Sequence, residues 1–175
     1  MPEGGLNRAY LALGSNIDPE KNLPAAVRYL VEFGRVLATS RVWETVPVGF
    51  AAQPNFLNAA LLLETPLSAR DCWLRAIADV EQRLGRIRDP RNKNAPRTID
   101  IDLALFNRDV LEVERRQIPD PEILERPFLA IPLAELDPAY RHPEDGRTLA
   151  EIARLFEPAV SGMTLREDVV LRSHD

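Results

Sequence analysis

The stretch Thr98-Ile99-Asp100-Ile101-Asp102-Leu103-Ala104-Leu105-Phe106 constrains the fold of this 175-residue chain more than any other. Side chains of a strand alternate faces, so Asp100 and Asp102 share one side while Ile99, Ile101 and Leu103 share the other. At a rise of roughly 3.3 Å per residue the two carboxylates stand about 7 Å apart and repel each other unless something answers their charge. Two readings fit. One is the solvated polar face of an edge strand. The other is a hard divalent cation, which repays the cost of placing like-charged aspartates on one strand face. Magnesium takes carboxylate oxygens, keeps several waters and is completed by substrate phosphates.

The segment leading into this strand favours the second reading. From Arg83 to Arg97 there are six basic side chains (Arg83, Arg86, Arg88, Arg91, Lys93, Arg97) against one acid, Asp89, a formal +5 in a chain of net charge −5. Arginine offers a planar fork that matches phosphate oxygens. A solvated basic loop explains the charge alone. A basic, proline-stiffened loop running straight into paired aspartates points instead to a site for a metal–nucleotide complex. The glycine-rich nucleotide signatures are missing: there is no Gly-x-x-x-x-Gly-Lys-[Ser/Thr], no Gly-x-Gly-x-x-Gly and no protein-kinase catalytic loop. A nucleotide bound here is therefore held through arginines and metal rather than at a helix N-terminus.

Around that strand the pattern predicts an ordered set of elements. Ala9 to Leu13 reads as a buried strand with Gly14-Ser15-Asn16 as its exit. Asp18-Pro19-Glu20 opens a helix as cap, first-turn proline and first-turn acid, and Leu23, Val27, Leu30 and Val31 carry it to Gly34. Arg35 to Val46 reads as one strand, and Phe56 to Thr65 as another. Ser68 to Asp71 resembles a capping box opening a helix with the stripe Trp73, Ile77, Val80 and Leu84, ended by Gly85. After the 98–106 strand, Asn107-Arg108-Asp109 is a turn, Val110 to Ile118 its hairpin partner, Pro127 to Leu136 and Thr148 to Phe156 short helices, and Asp168 to Leu171 an added strand. The order strand–helix–strand–strand–helix–strand predicts an α+β fold of split βαβ, ferredoxin-like type, with helices packed on an antiparallel sheet and extra C-terminal elements. Residues 1–175 read as a single domain.

Composition excludes several classes. A net charge of −5 gives no footprint for nucleic acid or an anionic membrane. One cysteine, Cys72, builds no disulfide and reads as a small apolar core residue. Met1 to Arg8 lacks the apolar run of a signal peptide, and nothing approaches the ~20 apolar residues of a membrane span, so a cytoplasmic location is the expectation. His142 and His174 are expected at the surface.

A third constellation is Gln53-Pro54-Asn55-Phe56-Leu57-Asn58-Ala59-Ala60. Phe56 and Asn58 fall on one side of a strand start, where an aromatic face and an amide suit a flat heterocycle by stacking and edge reading. A core phenylalanine beside a turn asparagine is the plain alternative.

Taken together, these residues resemble the 6-hydroxymethyl-7,8-dihydropterin pyrophosphokinase family. The matches are Ala12-Leu13-Gly14-Ser15-Asn16, Gln53 to Ala60, Glu81 with Gly85-Arg86-Ile87-Arg88, and above all Pro96-Arg97-Thr98-Ile99-Asp100-Ile101-Asp102-Leu103; Arg126-Pro127-Phe128 and Pro132-Leu133 follow. The resemblance covers about residues 8–156. It implies an ATP-dependent pyrophosphoryl transferase of folate biosynthesis, yielding AMP and a pterin diphosphate, with ATP and the hydroxymethyl-dihydropterin as substrates. It implies two magnesium ions on Asp100 and Asp102, and Arg86 and Arg97 as catalytic partners of the transferring group. Glu81, Arg86, Arg88, Arg97, Arg115 and Arg126 would surround ATP. Thr45, Pro47, Val48, Phe56, Asn58, Asp100 and Phe128 would form the pterin pocket. The chain departs from the family pattern at Asp120-Pro121, where a histidine is common, at Phe56, often a tyrosine, and in Arg91 to Ala95, which lacks a tryptophan. An RNA-binding sheet module is the contrasting reading, opposed by the acidic balance and by the lack of interleaved aromatic and basic residues on the central strands.

Overall fold

The computed structural model describes residues 5–47, 52–87, 90–92 and 95–172. Val48, Arg88, Lys93 and His174 lie outside them. Among the described residues one antiparallel sheet of six strands organises the molecule. Its centre is β1 (Asn7–Ser15), hydrogen-bonded to β4 (Phe56–Thr65) on one side and to β5 (Asp100–Phe106) on the other. β2 (Arg35–Thr39) and β3 (Trp43–Thr45) pair in turn along β4, and β8 (Met163–Leu165) adds to β3 at the far edge.

The two faces of the sheet are treated differently, and this positions the site. Odd-numbered residues of β1 (Ala9, Leu11, Leu13) join Leu57, Leu61, Leu63, Ile101 and Leu103 in a continuous apolar layer. Onto it pack α1 (Pro19–Leu30) through Leu23, Ala26, Val27 and Leu30, and the second helix through Ile77 and Val80. That helix runs as α2 (Ala69–Asp71), a π-helical stretch (Cys72–Ile77) and α3 (Ala78–Arg83). On the opposite face, Tyr10, Ala60, Leu62, Ala104 and Leu105 are covered by α4 (Pro127–Leu136) and α5 (Leu149–Ala153). The cover stops where apolar side chains stop. Beyond Ala12 that face carries Gly14, Asn58, Asp100 and Asp102, and a cleft opens over them.

Several expectations are corrected. The single strand expected over Arg35 to Val46 is broken at Ser40–Val42. There Ser40 hydroxyl accepts the Ala60 N–H at 2.7 Å, and Glu135 accepts the Arg41 N–H at 2.8 Å, replacing ladder bonds. Asp18 stands at the start of α1 without capping through its side chain; its backbone carbonyl takes the N–H groups of Lys21 and Asn22 instead. Val110 to Ile118 does not return along β5. It forms its own hairpin of β6 (Leu111–Val113) and β7 (Arg116–Ile118), because Glu114 and Arg115 adopt left-handed backbone (φ 50° and 67°) and close a tight turn. Asp168 to Leu171 is not a strand. Val169 and Leu171 are buried and Val170 exposed, a strand-like alternation with a side-chain bond from Thr39 hydroxyl to the Leu171 carbonyl (3.2 Å), while the ladder position goes to Met163–Leu165.

His142 is also not at the surface. It is buried at 3% exposure, its Nδ1 accepting the N–H groups of Glu144 and Asp145, and burial lowers its proton affinity. Cys72 is buried, as expected. No helix among the described residues is long and apolar enough to cross a membrane.

Candidate active site

Strand register does most of the assembly. Gly14 on β1 sits between Asn58 on β4 and Asp100 on β5, and Ala12 lies opposite Asp102. A glycine at this level keeps the floor low: a Cβ on Gly14 would stand 3.2 Å from Asn58 Oδ1. The four central residues therefore meet across three strands without any long-range side-chain reach.

The acidic side is built where α3 ends. Gly85, with φ of 73°, closes the helix: its N–H bonds to the Gln82 carbonyl and the Arg86 N–H to the Glu81 carbonyl, both at 3.0 Å. The chain turns so that Arg86 points at β5. Its Nη1 donates to Asp100 Oδ1 at 2.6 Å, to the Ile99 carbonyl at 3.1 Å and to Glu81 Oε2 at 3.2 Å. Glu81 in turn accepts the Ile101 N–H at 3.0 Å, so this buried carboxylate pins the helix end to the strand. Arg97 approaches the other oxygen of Asp100 at 3.6 Å. Its backbone is held by Asn16, which accepts the Arg97 N–H at 2.8 Å and gives its amide to Gln53 (2.6 Å) and the Pro54 carbonyl (3.1 Å).

Asp102 carries the strongest electrostatic conflict. Its carboxyl is pushed well above the carboxylate range, first by burial, then by Asp100 and Asp120, with Arg116 opposing. Asp120 is shifted up as well, chiefly by burial. Two carboxylates on one strand face, one of them expensive to ionise, form the hard-oxygen set that magnesium prefers. Among the described residues no group of three or more His, Cys, Asp or Glu side chains is arranged for a metal. Waters and substrate phosphates would have to complete the coordination sphere.

An aromatic and amide side adjoins it. Asn58 donates to Thr45 hydroxyl at 2.6 Å, which orients the amide on the cleft wall. Phe56, paired with Thr45 in register, lies under the Arg97 guanidinium at 5.7 Å. Phe128, in the first turn of α4, supplies a second aromatic. The cleft encloses about 370 Å³ between Phe56, Asn58, Thr45 and Phe128 at one end and Arg97, Asp100 and Asp102 at the other. A smaller cavity of about 220 Å³ opens on the other side of Asp102, walled by Trp73, Arg116, Gln117 and Asp120, with the Arg116 guanidinium 3.9 Å from the Trp73 ring.

Sequence comparison places this geometry in a known family. The model of 7,8-dihydro-6-hydroxymethylpterin-pyrophosphokinase (HPPK) matches residues 10–138. The chain belongs to the HPPK family. A relative from Bacillus subtilis, called 2-amino-4-hydroxy-6-hydroxymethyldihydropteridine pyrophosphokinase, is 43% identical over 133 residues, covering 74% of this chain and 78% of its own. One of the same name from Pseudomonas aeruginosa is 37% identical over 150 residues, covering 84% and 90%. Among solved structures, Plasmodium falciparum HPPK-DHPS superposes with a TM-score of 0.68 at 16% identity, over 89% of this chain and 45% of that one, a likeness of fold. This chain thus spans less than half of that solved chain.

Within the HPPK cleft, the residues expected from sequence fall into three groups. Thr45, Phe56, Asn58, Arg97, Asp100, Asp102, Arg126 and Phe128 line it together. Arg86 stands directly behind, on Asp100. Glu81 is buried beneath, bonded to Arg86 and the β5 backbone. Pro47 is not among the lining residues, and Arg115 is exposed at the β6–β7 turn. Val48 and Arg88 lie outside the described residues. Val46 and Glu122 line the cleft without having been singled out. Val46 adjoins Thr45 on the strand end; Glu122 follows the short 3₁₀ helix start that Asp120 caps, accepting the Glu122 N–H at 2.9 Å. Neither carries a sequence signal, whereas Gly14 does: a glycine inside an apolar strand marks a close approach.

Proposed function

We propose that this chain transfers the pyrophosphoryl group of ATP to 6-hydroxymethyl-7,8-dihydropterin, giving AMP and the pterin diphosphate. The observation that carries this reading is the juxtaposition, in an HPPK-family chain, of a paired-aspartate strand with its arginines and a cleft walled by Phe56, Asn58, Thr45 and Phe128. The pterin would lie between Phe56 and Phe128, its edge read by the Asn58 amide, which Thr45 orients. That placement brings a hydroxymethyl group toward Asp100 and the transferring phosphates.

Asp100 and Asp102 would hold two magnesium ions, whose chemistry would be Lewis-acid neutralisation of the triphosphate charge. Arg97, over the Phe56 ring and beside Asp100, would stand at the seam of the two substrates and neutralise charge developing on the bridging oxygens. Arg86 holds Asp100 in place and has a buried Nε without a protein partner, a donor that an anion would complete. Arg126, at the cleft rim, would contact the nucleotide. Attack by the hydroxymethyl oxygen on the β-phosphorus, in line with the departing oxygen, breaks the bond from that phosphorus to the α–β bridging oxygen, which leaves with AMP, while the hydroxyl proton passes to solvent. Positioning and charge neutralisation are what such a transfer requires of a protein.

The same reading takes residues 1–175 as one domain and the strand order β5–β1–β4–β2/β3, with a helix after β1 and another after β4, as ferredoxin-like. It places the enzyme in the cytoplasm. Incubating purified protein with magnesium, ATP and the pterin tests it: AMP is expected in step with pterin diphosphate, and lost on chelating the metal. Formation of ADP, or of no nucleotide product, contradicts the assignment.

A further inference from the structure

The C-terminal segment ends up against the acceptor wall although nothing in the chemistry above requires it. β8 adds to β3 with Met163 opposite Thr45 and Thr164 opposite Glu44. Met163 is buried with Trp43 and Ile131, and Phe128 packs on the same cluster. Immediately after β8 comes Arg166, whose N–H bonds to the Val42 carbonyl at 2.9 Å.

The guanidinium of Arg166 reaches three acids. Nη1 donates to Glu44 Oε1 at 2.9 Å, Nη2 to Glu20 Oε2 at 3.3 Å, and Nε and Nη2 to Asp168 at 2.9 and 2.8 Å. Glu44 spends its other oxygen on Asn55, accepting the side-chain amide at 3.0 Å. The Asn55 amide first, then the Arg166 guanidinium, hold the Glu44 carboxyl below its ordinary range. Glu44 precedes Thr45 on β3 and Asn55 precedes Phe56 on β4, so one carboxylate ties together the two ends of the connection between these strands. Glu20, in the first turn of α1, fixes the same point to the helix that leaves the Asn16 junction.

We propose that Arg166 is a positioning residue for the flat acceptor. Through Glu44 and Asn55 it braces the strand ends that carry the Thr45–Phe56 pair, and with them the orientation of the wall that grips the ring. It touches neither the paired aspartates nor their arginines. This inference rests on the pyrophosphokinase reading of the cleft.

The test compares the full-length wild type with Arg166→Ala and Arg166→Lys, using hydroxymethyl-dihydropterin as acceptor and a non-hydrolysable ATP analogue with magnesium as nucleotide probe. For Arg166→Ala the acceptor KM and calorimetric Kd should rise about ten-fold, the loss of one charged hydrogen-bond network. Its kcat and the analogue Kd should stay within about two-fold. Arg166→Lys should recover part of the acceptor affinity, since one ammonium reaches fewer of the three acids. Unchanged acceptor affinity overturns the proposal, and so does a parallel fall of acceptor and nucleotide affinity. Should Arg166→Ala not fold, Asn55→Ala breaks the same chain at an exposed residue. A smaller loss confined to the acceptor then supports the proposal, and no loss refutes it. A wild type that makes no AMP and does not bind the pterin removes the functional reading, and the proposal falls with it.

Discussion

Asp102 pays for its place on β5 before any ligand arrives. Its carboxyl is raised by burial and by Asp100 and Asp120, so the folded chain holds this proton more tightly than the unfolded chain does. Stability is therefore greatest below the unfolded carboxylate pKa of about 3.9 as far as this group is concerned, and declines as pH rises toward the folded value. Asp102→Asn should flatten that decline, raise Tm near neutral pH by about 2–4 °C and abolish AMP formation; thermal melts across pH and the product assay check both. Arg86 behaves oppositely. With Glu81 and Arg86 both buried, Arg86→Ala removes the guanidinium paired with a buried carboxylate and should cost about 3–5 kcal/mol of stability as well as activity. Arg97→Ala, on a residue of the cleft lining, should lose activity with far less effect on a denaturant midpoint. Asp100 and Asp102 were legible in sequence because a period of two fixes their common face. The pairing of Glu81 with Arg86 and the Ile101 N–H was not, since it depends on where α3 stops against a strand twenty residues later.

The elements show where local pattern suffices and where it fails. One helix start was readable: Ser68 caps the second helix by accepting the Asp71 N–H at 3.1 Å, whereas Asp18 does not cap α1 through its side chain. The strand break at Ser40–Val42 was not, because its hydrogen bonds go to Ala60 and to Glu135 on a helix far along the chain. Glycines act at this scale too. A Cβ at Gly34 would overlap the Glu64 carbonyl, so the turn from α1 into β2 needs this residue on space alone. Gly14→Ala should leave the fold intact but displace the Asn58 amide, raising the acceptor KM by about ten-fold; steady-state kinetics beside circular dichroism measure this. At the start of the π-helical stretch, burial pushes the Cys72 thiol up to about 12. Cys72 should resist a thiol reagent at neutral pH in buffer and react once denaturant opens the core.

At the scale of the molecule, the cleft exists because the sheet has two unlike faces. One is apolar through Ala9, Leu11 and Leu13 and covered by two helices together with Val113, Ile118, Val169 and Leu171; the other is apolar only as far as Ala12, Ala60 and Ala104 and is covered only that far. The alternation at Asp100 and Asp102 and at Phe56 and Asn58 pointed to this division, and the order of elements up to Phe106 could be read apart from the break that splits Arg35 to Val46 into β2 and β3. In the C-terminal part the helix Pro127–Leu136 was legible with its bounds and α5 falls within Thr148 to Phe156, but the strand pairings were not. β6 and β7 pair with each other, and β8 finds β3 across more than a hundred residues, choices made by turn geometry and packing rather than by period. The proposed function has Asp100 and Asp102 hold the metal–nucleotide against the acceptor cleft. It is tested most directly by following ATP labelled at the α-phosphate, with magnesium and hydroxymethyl-dihydropterin, for the wild type and for Asp100→Ala with Asp102→Ala. Labelled AMP equal to the pterin diphosphate formed, and its disappearance in the double variant while the fold persists, is the predicted result. Labelled ADP, or AMP formed at the wild-type rate without the two aspartates, contradicts it.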